Sequence, residues 1–147
     1  MTPQVLLTPF VLIAATLIGL GDVLYLSYYQ YLNLIPSCAL AGCEVVLSSE
    51  YSKFFGIPLS YFGLVYYIYA LCLWILLAAE PRSQALRMAA LGYSAVGFVL
   101  SAIFIFYIQL GLIGALCLYC VISALITTVL FGTSVWHFIS TKKTLHA

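Results

Sequence analysis

The chain has 147 residues, of which 65% are hydrophobic and 6% charged, with a formal net charge of +1. A soluble domain carries about 25% charged residues, so this chain has too few charges to cover a water-facing surface, and its solvent is lipid. The length fits one domain, and the small net charge argues against a nucleic-acid partner.

The first apolar run predicts a helix over residues 5–29. No Lys or Arg precedes it, and it exceeds the apolar stretch of about 7–15 residues of a secretory signal. It is therefore read as a retained transmembrane helix. It carries one acid, Asp22, followed by Tyr25, Tyr28, Tyr29 and Tyr31, and tyrosine is enriched where a membrane meets water.

Residues 30–58 form a long loop, and loops of that length in a compact domain are usually functional or disordered. This one is rich in Leu, Val, Tyr and Phe. It is expected to pack on the helices, with a short helix within 40–55 lying on the membrane surface. Gly56-Ile57-Pro58 then turns the chain into a second helix over 59–79. That helix contains Cys72, which reads as a small hydrophobe. It also holds Tyr66, Tyr67 and Tyr69, which either line a ring-shaped pocket or simply pack.

A tight turn, Glu80-Pro81-Arg82-Ser83-Gln84, leads to a third helix over 85–109. Gly111 and Gly114 flank the next turn, and a fourth helix is expected over 115–138. His137 falls near the end of that helix and reads as interfacial, with no assigned role; His146 lies in the tail. Each window meets the roughly 20 apolar residues that a span requires. Long unbroken apolar runs select helices over a closed barrel. The expected fold is an all-α membrane protein, a single domain over 1–147 built as a four-transmembrane-helix bundle.

Basic residues set orientation. Arg82 and Arg87 border the second turn and Lys142 and Lys143 follow the fourth helix, whereas the long loop holds Lys53 beside Glu44 and Glu50. Both termini are predicted to be cytoplasmic and the long loop outward, in a bacterial plasma (inner) membrane.

Cys38 and Cys43 then lie in the outward loop, and Cys117-Leu118-Tyr119-Cys120 opens the fourth helix at the same face. Residues three apart share a helix face, so two sulfurs at that spacing can form a disulfide. A helix N-terminus stabilises the thiolate, which is the reactive species. Two such pairs on the oxidising side of a membrane point to thiol–disulfide chemistry. Competing readings are purely structural disulfides and a Cys₄ zinc site. Zinc is disfavoured because one pair begins a membrane helix, and no metal is expected.

The loop reads Cys38-x₄-Cys43-Glu44-Val45-Val46-Leu47-Ser48-Ser49, followed by Gly56-Ile57-Pro58-Leu59-Ser60-Tyr61-Phe62-Gly63 and then Cys117-Leu118-Tyr119-Cys120. This order resembles the vitamin K epoxide reductase family in its bacterial form, over about residues 5–138. The resemblance implies a helical bundle around a quinone, ubiquinone or menaquinone, as electron acceptor. It implies that Cys120 faces the quinone, that Cys117 is its disulfide partner, that Cys43 shuttles to Cys117, and that Cys38 meets the partner protein. Ser49 matches the family's loop serine near the pocket, and Leu59, Tyr66, Tyr119 and Ala124 are further pocket candidates. Many bacterial relatives carry a fused thioredoxin-like domain. None is read here, so a separate DsbA-like thioredoxin-fold partner is expected. Vertebrate members that reduce the epoxide have an Asn where this chain has Leu59 and a Tyr where it has Ala124, which favours quinone over epoxide as the acceptor.

Asp22 is the candidate proton donor, since an acid within a membrane is functional by default; the bland alternative is that it is solvated near the surface. Asp22 also underlies the main rival, a small proton-coupled multidrug transporter, which leaves the four cysteines unexplained. The bacterial disulfide-forming membrane oxidase is a nearer rival, but its Cys-x-x-Cys lies in a loop. A structural membrane chaperone would need no redox pair.

Overall fold

The computed structural model describes residues 3–39 and 42–146. Four long helices carry the architecture: α1 (Pro3–Tyr31), α3 (Leu59–Ala79), α4 (Gln84–Ala102, continued to Ile113) and α5 (Leu118–His146). A short α2 (Gly42–Ser48) lies in the loop between α1 and α3, followed by a 3₁₀ turn, Glu50–Ser52. A two-residue hairpin of β1 (Lys53–Phe54) and β2 (Ile57–Pro58) pairs antiparallel and leads into α3. The segments Leu7–Tyr31, Leu59–Ala79, Gln84–Ile113 and Leu118–Lys142 are each long and apolar enough to cross a membrane. At about 1.5 Å per residue, the shortest matches the roughly 30 Å hydrocarbon core. The protein is a multi-pass helical membrane bundle.

α1 packs on both α3 and α5, α4 packs on α5, and a thinner α3–α4 seam closes the ring. The main core holds Leu12, Tyr67, Trp74, Leu77 and Leu130. Hydrophobics such as Ile18, Leu76, Val99 and Leu125 point outward, as they must where lipid is the solvent. With no hydrophobic drive between helices in lipid, packing and interhelical hydrogen bonds hold them together. Trp74 Nε1–H donates to Thr16 Oγ1 at 2.8 Å, and Thr16 donates on to the Leu12 carbonyl at 2.7 Å. This chain ties α3 to α1 with every member buried.

Three features depart from the sequence reading. α4 does not end near residue 109. It continues as a π-helix over Ile103–Ile113 and stops at Gly114, whose positive φ of 71° suits glycine. α5 runs from Leu118 to His146 rather than from 115 to 138, which leaves Cys117 just ahead of its first turn and puts His146, expected in a tail, at its last position. His137, expected at the interface, is only 2% exposed. It lies on the inward face of α5, within reach of the charge of Arg87, itself 5% exposed in the first turn of α4. Arg87 borders the turn in sequence, but it lies four residues past Ser83, whose side chain caps α4, and that register turns it toward the bundle.

Candidate active site

The loop folds back onto the end of the bundle where α5 begins. Cys43 and Val46, on one face of α2, are buried together with Cys117, and Cys38, Ile113, Leu118 and Cys120 pack around them. Cys38 and Cys43 form a disulfide, while Cys117 and Cys120 are free thiols. Cys43 Sγ accepts the N–H of Leu118 at 3.2 Å. That places the inner sulfur of the loop pair against the residue after Cys117. Cys38 is partly exposed, so an outside thiolate reaches it more readily than Cys43, which is buried.

Two contacts hold the loop in this register. The Tyr119 hydroxyl donates to the Ser37 carbonyl at 3.0 Å, fastening α5 to the loop segment before Cys38. At Gly42 the α2 backbone comes so close to the turn before α5 that a Cβ would lie 2.4 Å from the Leu116 carbonyl oxygen.

The start of α5 also tunes Cys117. The Cys120 thiol beside it, helped by the backbone N–H groups of Cys120 and Tyr119, brings the Cys117 thiol down to about 7 against the opposing effects of burial and the Asp22 carboxyl. A free cysteine titrates at about 8.5. Exchange runs through thiolates, so Cys117 is a good leaving group above a pH of about 7, and its thiolate share falls about tenfold per unit below it. The ultraviolet thiolate absorbance that is lost in Cys117→Ala should show this midpoint; a midpoint near 9 would contradict it.

Gln109 is a site residue that the sequence reading missed. It is 0% exposed, and its Oε1 accepts the N–H of Cys117 at 3.1 Å. It stands inside the π segment, where the wider turn redirects it, and its own carbonyl accepts the N–H groups of Gly114 and Ala115. A polar residue after a long apolar run had read as the end of a helix.

On the bundle side of Cys120 lies a cavity of about 360 Å³. Its wall is almost wholly apolar, including Leu26, Leu100, Phe104 and Ile108, with Asp22, Gln30, Ser60, Tyr66, Tyr67 and Tyr119 as polar points. Cavities of about 300–1,000 Å³ with few polar groups suit small apolar ligands. Asp22 Oδ2 and Tyr66 Oη are buried without a hydrogen-bond partner. Tyr67 Oη pairs with Ser123 Oγ at 2.8 Å, and the Ser60 hydroxyl donates to Gln30 Oε1.

Leu59, Tyr66, Tyr119 and Asp22 stand on this wall, whereas Ser49 and Ala124 do not. Ser49 folds its hydroxyl back onto the Val46 carbonyl at 2.6 Å, so the loop serine on the wall is Ser52. Ala124 turns aside and its carbonyl accepts the hydroxyls of Thr127 and Thr128. Tyr69 points outward. Among the described residues, no three His, Cys, Asp or Glu side chains gather where one ion could bind.

The chain is 32% identical over 121 residues to thiol-disulfide oxidoreductase LTO1 of Arabidopsis thaliana, an alignment covering 78% of this chain and 32% of that protein. The chain therefore spans about one third of the length of that relative. The family profile for vitamin K epoxide reductase matches residues 10–135, from α1 through most of α5, and the chain belongs to the vitamin K epoxide reductase family.

Proposed function

We propose that this chain is a membrane thiol–disulfide oxidoreductase that carries electrons from a dithiol protein to a membrane quinone. The observation that carries this reading is the position of Cys43 Sγ on the Leu118 N–H, with Cys117 in the same buried cluster and Cys120 on the cavity wall.

Each step is a thiolate attack on a disulfide sulfur. A partner thiolate attacks Cys38 and Cys43 leaves as a thiolate. The partner's second thiolate closes its own disulfide and releases Cys38, so two electrons enter the loop pair. Cys43 attacks Cys117 and Cys120 leaves; Cys38 then attacks Cys43, which re-forms the loop disulfide and frees Cys117. The resulting state has the loop pair closed and Cys117 and Cys120 as thiols, and the Cys38–Cys43 bond beside free Cys117 and Cys120 supports this order.

The volume and apolar lining of the cavity fit a quinone ring, and the two orphaned oxygens offer it polar partners. A bound quinone supplies a two-electron, two-proton acceptor. Leu26, Phe104 and Ile108 would exclude water, Cys120 presents its sulfur, Tyr66 offers a hydroxyl and Asp22 holds a proton. The electron donor is a DsbA-like thioredoxin-fold protein, and the loop faces outward with both termini in the cytoplasm.

In proteoliposomes, oxidation of a reduced thioredoxin-fold protein should stop near one equivalent without quinone and turn over continuously with it. Asp22→Asn should slow quinone reduction by about 10-fold or more while partner exchange at Cys38 stays intact. Asp22 stands on the same wall as Cys120, so the redox reading accounts for the acid that otherwise suggests a transporter. Loss of proton-coupled drug efflux in Asp22→Asn, with thiol oxidation unchanged, would establish the transporter instead.

A further inference from the structure

We infer that Gln109 is a positioning residue for the Cys117–Cys120 pair, fixing Cys117 by its backbone and holding an uncommitted N–H donor for the negative charge that the reduced pair shares, so that it favours the reduced pair. The inference rests on the reading of Cys117 and Cys120 as a redox couple. It is independent of which acceptor or partner the protein uses.

The orientation of the amide follows from its neighbours. The Cys117 backbone N–H can only donate, so the atom it meets must be the side-chain oxygen, at 3.1 Å. The nitrogen is thereby turned the other way. Gln109 Nε2 is buried without a hydrogen-bond partner, and the side chain reaches the Cys120 thiol. A neutral thiol sulfur is a weak acceptor, which leaves this donor unsatisfied beside Cys120. A thiolate there accepts strongly, because hydrogen bonds to an ionised group are about twice as strong as neutral ones.

The π-helix makes this geometry possible. Gln109 is held from behind as well, since its own carbonyl accepts the N–H groups of Gly114 and Ala115. The side chain is thus clamped at its backbone and at its oxygen, with only the nitrogen uncommitted. Such a group stabilises charge without reorganising.

The consequence is a redox bias. Above a pH of about 7, reduction converts the Cys117–Cys120 disulfide into a thiol and a thiolate that share one proton, taking two electrons and one proton from the reductant, whose second proton goes to solvent. Dithiothreitol supplies them and becomes its own cyclic disulfide. A donor that strengthens its bond only when Cys120 is reduced pulls this equilibrium toward the dithiol.

The test is to equilibrate full-length protein in lipid nanodiscs with dithiothreitol redox buffers over a pH series. The Cys117–Cys120 state is then read by differential alkylation and peptide mass spectrometry. Gln109→Glu keeps an oxygen for the Cys117 N–H but turns a second oxygen toward Cys120. Its equilibrium constant for reduction should fall about tenfold, equivalent to about 30 mV, and the shortfall should grow as pH rises and the new carboxyl ionises. Gln109→Leu, which removes both contacts, should also fall about tenfold. Wild-type values for Gln109→Glu throughout the pH series, whether or not Gln109→Leu shifts or folds, would reduce the residue to a backbone cap and overturn the inference. Failure of the wild-type pair to equilibrate with dithiothreitol at all would instead defeat the redox reading, and the inference with it.

Discussion

Cys120→Ala will abolish quinone-dependent turnover, lowering it on the order of 10³-fold, as expected where residues act as one unit. The same variant will still exchange its loop disulfide with a dithiol partner. Cys38 is the partly exposed sulfur and its bond to Cys43 does not involve α5, so the first exchange is untouched. Cys120 alone of the four cysteines stands on the cavity wall, so its loss severs the path to the acceptor. In this variant the Cys117 thiolate can attack Cys43 of the loop disulfide and release Cys38 as a thiol, and no Cys120 carries the exchange further, so Cys120→Ala should hold a Cys43–Cys117 link. Non-reducing digestion and mass spectrometry would reveal it as a cross-link between the α2 and α5 peptides. Continued quinone reduction, or a cross-link from Cys38 to Cys117 instead, would break the proposed order.

How much of this could be read before the structure depended on the solvent. In lipid the backbone has no choice but to satisfy itself, so four apolar runs left little room for anything but four helices. The cysteines were equally legible, because their chemistry depends on spacing along the chain. What stayed hidden was set by local backbone geometry. A π-helix carries no clear signature in a run such as Ile103–Ile113, so the last polar residue before Gly111 read as a boundary when it faces Cys117. The same holds for Ser49 and Ser52. They stand three residues apart on a short helical turn, and only the fold shows that Ser49 bonds to Val46 while Ser52 reaches the cavity wall. His137 misled because a polar residue near a helix end usually means surface, whereas here register turns it inward.

Hydropathy also could not reveal how closely the loop must approach α5. Gly42→Ala adds one carbon, 2.4 Å from the Leu116 carbonyl oxygen and 2.8 Å from its nitrogen. Both are backbone atoms of the turn between Gly114 and α5, so no side chain can swing away to relieve the clash. The first residue of α2 must withdraw, and Cys43, next in the chain, withdraws with it from the Leu118 N–H. Displacement of reacting groups by about 1 Å can cost about 10²-fold in rate, and transfer from the loop pair to Cys117–Cys120 should slow by about that factor in Gly42→Ala. Exchange between a soluble dithiol and Cys38–Cys43 should keep its wild-type rate, because that disulfide closes within the loop. Rapid quenching with a maleimide after mixing with reduced partner would separate the two steps. Wild-type transfer in Gly42→Ala would show that close docking of α2 on the start of α5 does not control the relay. Slow transfer with normal loop exchange would place the controlling contact at Gly42 and Leu116.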